Sequence, residues 1–144
     1  MSNRNAGTII VIEDDPDDQL LIKDAFDNLG YPNQIVFFSD GYKALEFIES
    51  SNIKPFLILS DVNMPTMNGF ELRKKIHNNK ELSIRCIPYL FFTTGTNRQA
   101  VQDAYAMSAQ GFFIKPSSMS GLENTLRKIV EYWKECHAPN QYNE

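Results

Sequence analysis

Residues 8–30 read TIIVIEDDPDDQLLIKDAFDNLG, and this stretch decides the fold. Its first five residues form an unbroken apolar run rather than an alternating one. A strand needs that pattern when helices cover both faces of its sheet. The acids Glu13, Asp14 and Asp15 then interrupt, and the period changes. Ile22, Ala25, Phe26 and Leu29 recur at i, i+3, i+4 and i+7, the spacing of one buried helix face. Asp15 has an N-cap side chain, Pro16 suits the first helical position, and Gly30 supplies the stop. The stretch is one βα unit.

The alternation continues to the end of the chain. Unbroken apolar runs occupy 34–38, 56–60, 89–93 and 112–114. Between and after them, helical spacing links Ala44, Leu45 and Ile48, then Leu72 and Ile76, then Val101, Ala104 and Tyr105. A long last helix is marked by Leu122, Leu126, Ile129 and Trp133. Five such units predict an α/β fold with a doubly wound parallel sheet. The ordered domain is expected over 8–136, with loose ends at 1–7 and 137–144.

Composition narrows the function classes. At 144 residues the chain suits one domain able to bury most of its apolar side chains. Fourteen basic against eighteen acidic residues give a net charge of −4, which argues against direct nucleic-acid binding. Cys86 and Cys136 make no disulfide framework, and neither they nor His77 and His137 have zinc-ligand spacing. The apolar stretch near the start is too short for a signal-peptide core, and no run approaches a membrane span. A reduced, cytoplasmic protein is the resulting expectation.

In open parallel sheets, ligands sit beyond the carboxyl ends of the strands. Here those ends carry Glu13-Asp14-Asp15, Asp61, Thr93-Thr94 and Lys115-Pro116. Each has an ordinary explanation alone: Asp15 caps a helix, Asp17 and Asp18 favour its positive end, Asp61 begins a loop, Lys115 is a solvated charge. Together they converge on one crevice. Carboxylates crowded there repel one another unless a cation intervenes, and oxygen-only ligands suit Mg²⁺. Phosphoryl transfer needs an in-line nucleophile and stabilised charge on three equatorial oxygens. Mg²⁺, the Lys115 ammonium and the Thr93 hydroxyl with a backbone N–H can serve those oxygens, leaving Asp61 as nucleophile.

Four ordered motifs carry a family resemblance. Ile-Glu-Asp-Asp-Pro at 12–16, Asp-Val-Asn-Met-Pro-Thr-Met-Asn-Gly at 61–69, Thr-Thr at 93–94 and Gly-Phe-Phe-Ile-Lys-Pro at 111–116 resemble receiver domains of bacterial two-component response regulators. The match spans roughly residues 7–136. It implies a flavodoxin-like (βα)5 fold with strand order 2-1-3-4-5 and phosphorylation at Asp61. It further implies a metal site of Asp14, Asp61 and the Asn63 carbonyl, with Glu13 acting largely through water. The ion implied is Mg²⁺, with Mn²⁺ as a substitute. Thr93, Lys115 and Phe112 take the phosphate-binding and switch roles, and the Lys115–Pro116 bond is expected to be cis. The implied partner is a histidine kinase or histidine phosphotransfer protein, with no catalysis beyond self-phosphorylation and self-dephosphorylation.

Some positions depart from the family pattern. Phe112 stands where Tyr is common, and Ser108 where a Gly often ends the fourth helical segment. A haloacid-dehalogenase-type phosphatase is the rival enzyme reading, but it needs a second Asp two residues after its nucleophile, and that residue is Asn63. A receiver-like module that binds partners without phosphorylation is the other rival. A flavin protein is disfavoured because Glu-Asp-Asp after the first strand would repel flavin phosphate. No output domain is expected after the last helix. Output is therefore expected through protein contact, or pairing of two copies, on the face spanning 98–134, with Glu123, Arg127, Glu131 and Lys134 exposed on the last helix.

Overall fold

A computed structural model describes residues 7–51, 53 and 55–137; most of the two ends expected to be loose lies outside them. The strands are β1 (Thr8–Ile12), β2 (Ile35–Phe38), β3 (Pro55–Ser60), β4 (Tyr89–Thr93) and β5 (Gly111–Ile114). The helices are α1 (Pro16–Leu29), α2 (Gly41–Ser50), α3 (Gly69–Asn78), α4 (Lys80–Arg85), α5 (Arg98–Ala106) and α6 (Met119–Glu135). All strand pairs are parallel, in the order β2-β1-β3-β4-β5. The flavodoxin-like expectation holds, and every apolar run lies within one residue of its strand.

The unbroken runs have the predicted cause. Ile10, Ile12, Ile58, Tyr89 and Phe91 face one layer, packing with Ala44, Ile48, Leu72, Ile76 and Ala104. Their neighbours Ile9, Val11, Leu57, Leu59, Leu90 and Phe92 face the other, against Ile22, Phe26, Leu122, Leu126 and Ile129. Successive side chains of a strand point to opposite faces, so a sheet covered twice must be apolar at every position. Fully burying side chains of this size contributes about 1.5–3 kcal/mol each. Among the described residues, no helix is long and apolar enough to cross a membrane.

Two features depart from the simple pattern. Among the described residues six helices replace the five expected, because Asn79 both ends α3 and caps α4. Its extended backbone (φ −85°, ψ 113°) breaks the helix, and its carboxamide oxygen accepts from the Leu82 N–H. No Gly or Pro marks that break, so the spacing alone reads as one helix. Ser108 adopts a left-handed φ of 63° after α5, a conformation that costs a non-glycine residue about 1–2 kcal/mol. The buried Arg73 lies beneath this turn and donates to the carbonyls of Met107 (3.0 Å) and Ser108 (2.8 Å). Those bonds hold the turn in place of a glycine.

The chain passes from β1 to β2 on one side, then from β2 back across β1 to β3 on the other. The carboxyl ends of β1 and β3 therefore flank the point where the winding reverses, and a crevice opens there.

Candidate functional site

Glu13 follows β1 and Asp61 follows β3, so the topology alone brings them together. Glu13, Asp14 and Asp61 each offer a carboxylate oxygen, all within 4.8 Å of one another. Glu13 and Asp61 are buried and Asp14 is half-buried. Asp61 is fixed twice: its N–H donates to the Ile12 carbonyl at 2.9 Å, and its Oδ1 accepts from the Val62 N–H at 2.7 Å. Oδ2 faces the Lys115 ammonium at 3.3 Å.

The loop from Asp61 to Gly69 is held by its own sequence. Met64 and Met67 are buried in the α2–α3 layer. Thr66 takes a left-handed φ of 64° between them. Gly69 opens α3 with its N–H bonded to the Val62 carbonyl at 2.8 Å. A Cβ on Gly69 would lie 2.1 Å from the Asp61 carbonyl oxygen, so only glycine lets the helix come this close. Asn68 and Glu71 complete a capping box at the same helix start.

Lys115 reaches the crevice from the end of β5, and its own N–H donates to the Thr93 carbonyl at 2.7 Å. The ammonium bonds to Glu13, to Asp18 at 3.1 Å and to Asp61 at 3.3 Å. Its side chain is only 7% exposed. Burial acts to lower its pKa, but Glu13, Asp61 and Asp18 outweigh burial and hold it above the ordinary lysine value. Burial pushes the Glu13 carboxyl up to about 7, with the Asp61 charge adding to the rise while Lys115 and the Asp15 N–H oppose it. Lys115 thus already relieves part of the repulsion expected among the acids.

Thr93 is 1% exposed, and its hydroxyl has no hydrogen-bond partner among the described residues. A buried hydroxyl left so costs about 1–3 kcal/mol, which marks it as awaiting an acceptor or donor. Phe112 is half-buried and packs 5.9 Å from the Phe91 ring. Asn63 is exposed, and its N–H donates to Asp61 Oδ1 at 3.4 Å.

Two expectations are corrected here. The Lys115–Pro116 bond is trans, not cis. Trans is the lower-energy isomer by about 0.5–1 kcal/mol for a bond before proline, and Lys115 meets all three carboxylates with it. On α6, Arg127 and Glu131 are exposed as expected, while Glu123 and Lys134 are half-buried. Glu123 accepts from Asn28 at 2.9 Å and Glu131 from the Tyr31 hydroxyl at 2.6 Å, tying α6 to α1 and the turn after it. Burial together with Glu131 pushes the Tyr31 hydroxyl up to about 12. Asp18 is the pocket residue the sequence did not disclose, because an acid in the first turn of a helix reads as a partner for the helix dipole.

The sequence matches the response regulator receiver domain over residues 9–127. The chain belongs to that family. This receiver is 31% identical over 129 residues to the probable methanogenesis regulatory protein FilR2 of Methanothrix harundinacea, covering 87% of this chain and 82% of that protein. It is 25% identical to response regulator Rcp1 of Synechocystis, covering 88% of each. Among solved structures, the phosphorylated cyanobacterial phytochrome response regulator RcpA superposes with a TM-score of 0.81 at 26% identity, over 92% of this chain and 98% of that one. The Mn²⁺-bound form of Rcp1 superposes with a TM-score of 0.78 at 25% identity, over 91% and 96%.

Proposed function

We propose that this receiver works in the cytoplasm and accepts a phosphoryl group on Asp61 from the phosphohistidine of a histidine kinase or phosphotransfer protein. The observation that carries the reading is one carboxylate, Asp61, set by two backbone contacts and faced by Lys115, with Glu13 and Asp14 beside it. The all-oxygen donor set fits a hard divalent cation, Mg²⁺ with Mn²⁺ as substitute, held by Asp14, Asp61 and the Asn63 carbonyl, with Glu13 acting through water. When bound, such an ion neutralises the acids and takes up charge on a transferred oxygen.

The chain's own residues do the rest. An Asp61 carboxylate oxygen attacks phosphorus, a P–O bond forms and the P–N bond to the donor imidazole breaks. The electron pair leaves with the imidazole, which takes a proton from solvent. The Val62 N–H keeps the carboxyl group oriented, so little reorganisation accompanies attack. Lys115 can exchange one carboxylate contact for a phosphoryl oxygen, and the Thr93 hydroxyl gains another. No separate substrate is turned over. Intact-mass spectrometry after incubation with acetyl phosphate and Mg²⁺ tests the reading through addition of one phosphoryl group.

Output is assigned to protein contact on the 98–134 face, where Tyr105 and Ile114 expose apolar surface, with pairing of two copies as one form of it. Beryllofluoride should shift amide resonances across that face, and light scattering should report any pairing. Shifts confined to the crevice would defeat this assignment.

Thr93→Ala removes a buried hydroxyl that has no hydrogen-bond partner among the described residues. Its stability should stay within about 1 kcal/mol of wild type, since the lost methyl packing and the relieved desolvation oppose each other. The beryllofluoride shifts over residues 94–116 should nevertheless shrink. Shifts equal to wild type would count against a switching role for Thr93.

Mg²⁺ should stabilise the fold by about 1.4 kcal/mol at ten times its Kd, seen as a raised Tm. Asp14→Asn should reduce that gain by removing one ligand charge. A wild-type Tm that millimolar Mg²⁺ leaves unmoved would count against the metal site.

A further inference from the structure

Lys115 holds one carboxylate more than the strand-end motifs account for. Glu13 and Asp61 come from the ends of β1 and β3, but Asp18 comes from the first turn of α1. The Lys115 side chain is 7% exposed and that of Asp18 26%, so this contact is shielded, unlike the weak ion pairs of an open surface. Asp18 is the third helical residue after the Asp15 cap, where an acidic side chain often turns back to the cap's own N–H. Here Glu13 Oε2 accepts from that N–H at 3.1 Å. Asp18 reaches Lys115 instead. Its backbone cannot easily drift, because Asp15 caps the helix through the Asp17 N–H at 2.8 Å and Ile22, Ala25 and Phe26 are buried behind it.

We propose that Asp18 is a positioning residue of the phosphorylation switch. It retains the Lys115 ammonium in the resting protein, and its contact is the one Lys115 gives up when a phosphoryl group arrives on Asp61. The proposal rests on Asp61 being the acceptor. Asp18 Oδ2 and Asp61 Oδ2 both lie within 3.3 Å of the same nitrogen. Phosphorylation of Asp61 replaces the single charge of its carboxylate with the two of a phosphoryl group, beside a carboxylate fixed close by where little water screens them. One ammonium cannot neutralise both. Asp18 consequently favours the unphosphorylated state, and removing its charge shifts the balance the other way.

The test is Asp18→Asn, which keeps the shape and deletes the charge. With Mg²⁺ present, its Kd for beryllofluoride, read by calorimetry, should fall by about three- to tenfold, tenfold corresponding to about 1.4 kcal/mol. Its initial rate of labelling by acetyl phosphate should rise by a similar factor, and Asp18→Glu should return both toward wild type. A purely structural role gives the opposite sign, since a loosened α1 would weaken beryllofluoride binding. Asp17→Asn, on the exposed side of the same turn, should change binding by less than about twofold, because solvent and salt screen its charge. Unchanged or weaker binding in Asp18→Asn overturns the proposal, and so does an equal gain in Asp17→Asn. If wild type neither binds beryllofluoride nor takes label, the acceptor reading itself fails, and this one with it.

Discussion

Asp61→Asn is expected to take no label from acetyl phosphate and Mg²⁺ under conditions where the wild-type receiver gains one phosphoryl group. The substitution keeps the volume of the side chain and can keep the bond from the Val62 N–H, now to the carboxamide oxygen. It removes the anionic nucleophile, and a neutral amide does not form an acyl phosphate. The two neighbouring acids are poor replacements. Glu13 is 1% exposed and its carboxylate is engaged by Lys115 and the Asp15 N–H. Asp14 is half-buried and, unlike Asp61, has no ion pair with Lys115 among the described residues. The mutant should stay folded, because removing one charge from the three acids that share Lys115, with Asp14 beside them, lessens repulsion even as it loses the 3.3 Å contact. Intact mass and peptide mapping measure the outcome. A phosphoryl group found at Glu13 or Asp14 in the mutant would mean that the acceptor has been misassigned.

The sequence was most informative where one side chain has one possible use. Unbroken apolar runs at 8–12 and 89–93 have no solution but a sheet covered on both faces, and those strands lie where they were expected. The Asp15, Pro16 and Gly30 signals of α1 also match the structure, with Gly30 at a φ of 73°. Legibility failed where a tertiary contact overrides a local preference. Asp18 satisfies every local rule for a first-turn acid, and only the arrival of Lys115, 97 residues later, gives it a second role. Glu123 reads as an exposed charge, yet it is half-buried and accepts from Asn28 of α1. Arg73 was likewise silent, because nothing near it in sequence announces the carbonyls of Met107 and Ser108.

Gly69→Ala should lower stability by about 3 kcal/mol, the upper end of what overpacking costs, which for a domain of this size lowers Tm by roughly 10 °C. The reason is local and hard to evade. The added methyl would meet the Asp61 carbonyl oxygen at 2.1 Å and the Phe91 ring at 3.0 Å. Neither neighbour can retreat freely. Asp61 is tied to β1 through the Ile12 carbonyl, and Phe91 is fully buried in β4. The helix cannot simply withdraw either, since the Gly69 N–H bonds to Val62 and its carbonyl accepts from the buried Tyr89 hydroxyl at 3.1 Å. Relief must come from moving α3, or from moving Asp61 itself. Labelling of the acceptor should therefore slow in the fraction that remains folded, linking the loss of stability to the loss of function. Gly95→Ala is the matched control, because a Cβ there meets nothing within 4 Å, and its effect should stay within about 0.5 kcal/mol. Thermal melts and acetyl phosphate labelling of the two variants decide the matter. A Gly69→Ala protein that melts and labels like wild type would show that α3 can shift without cost, and that the close approach at Asp61 is incidental.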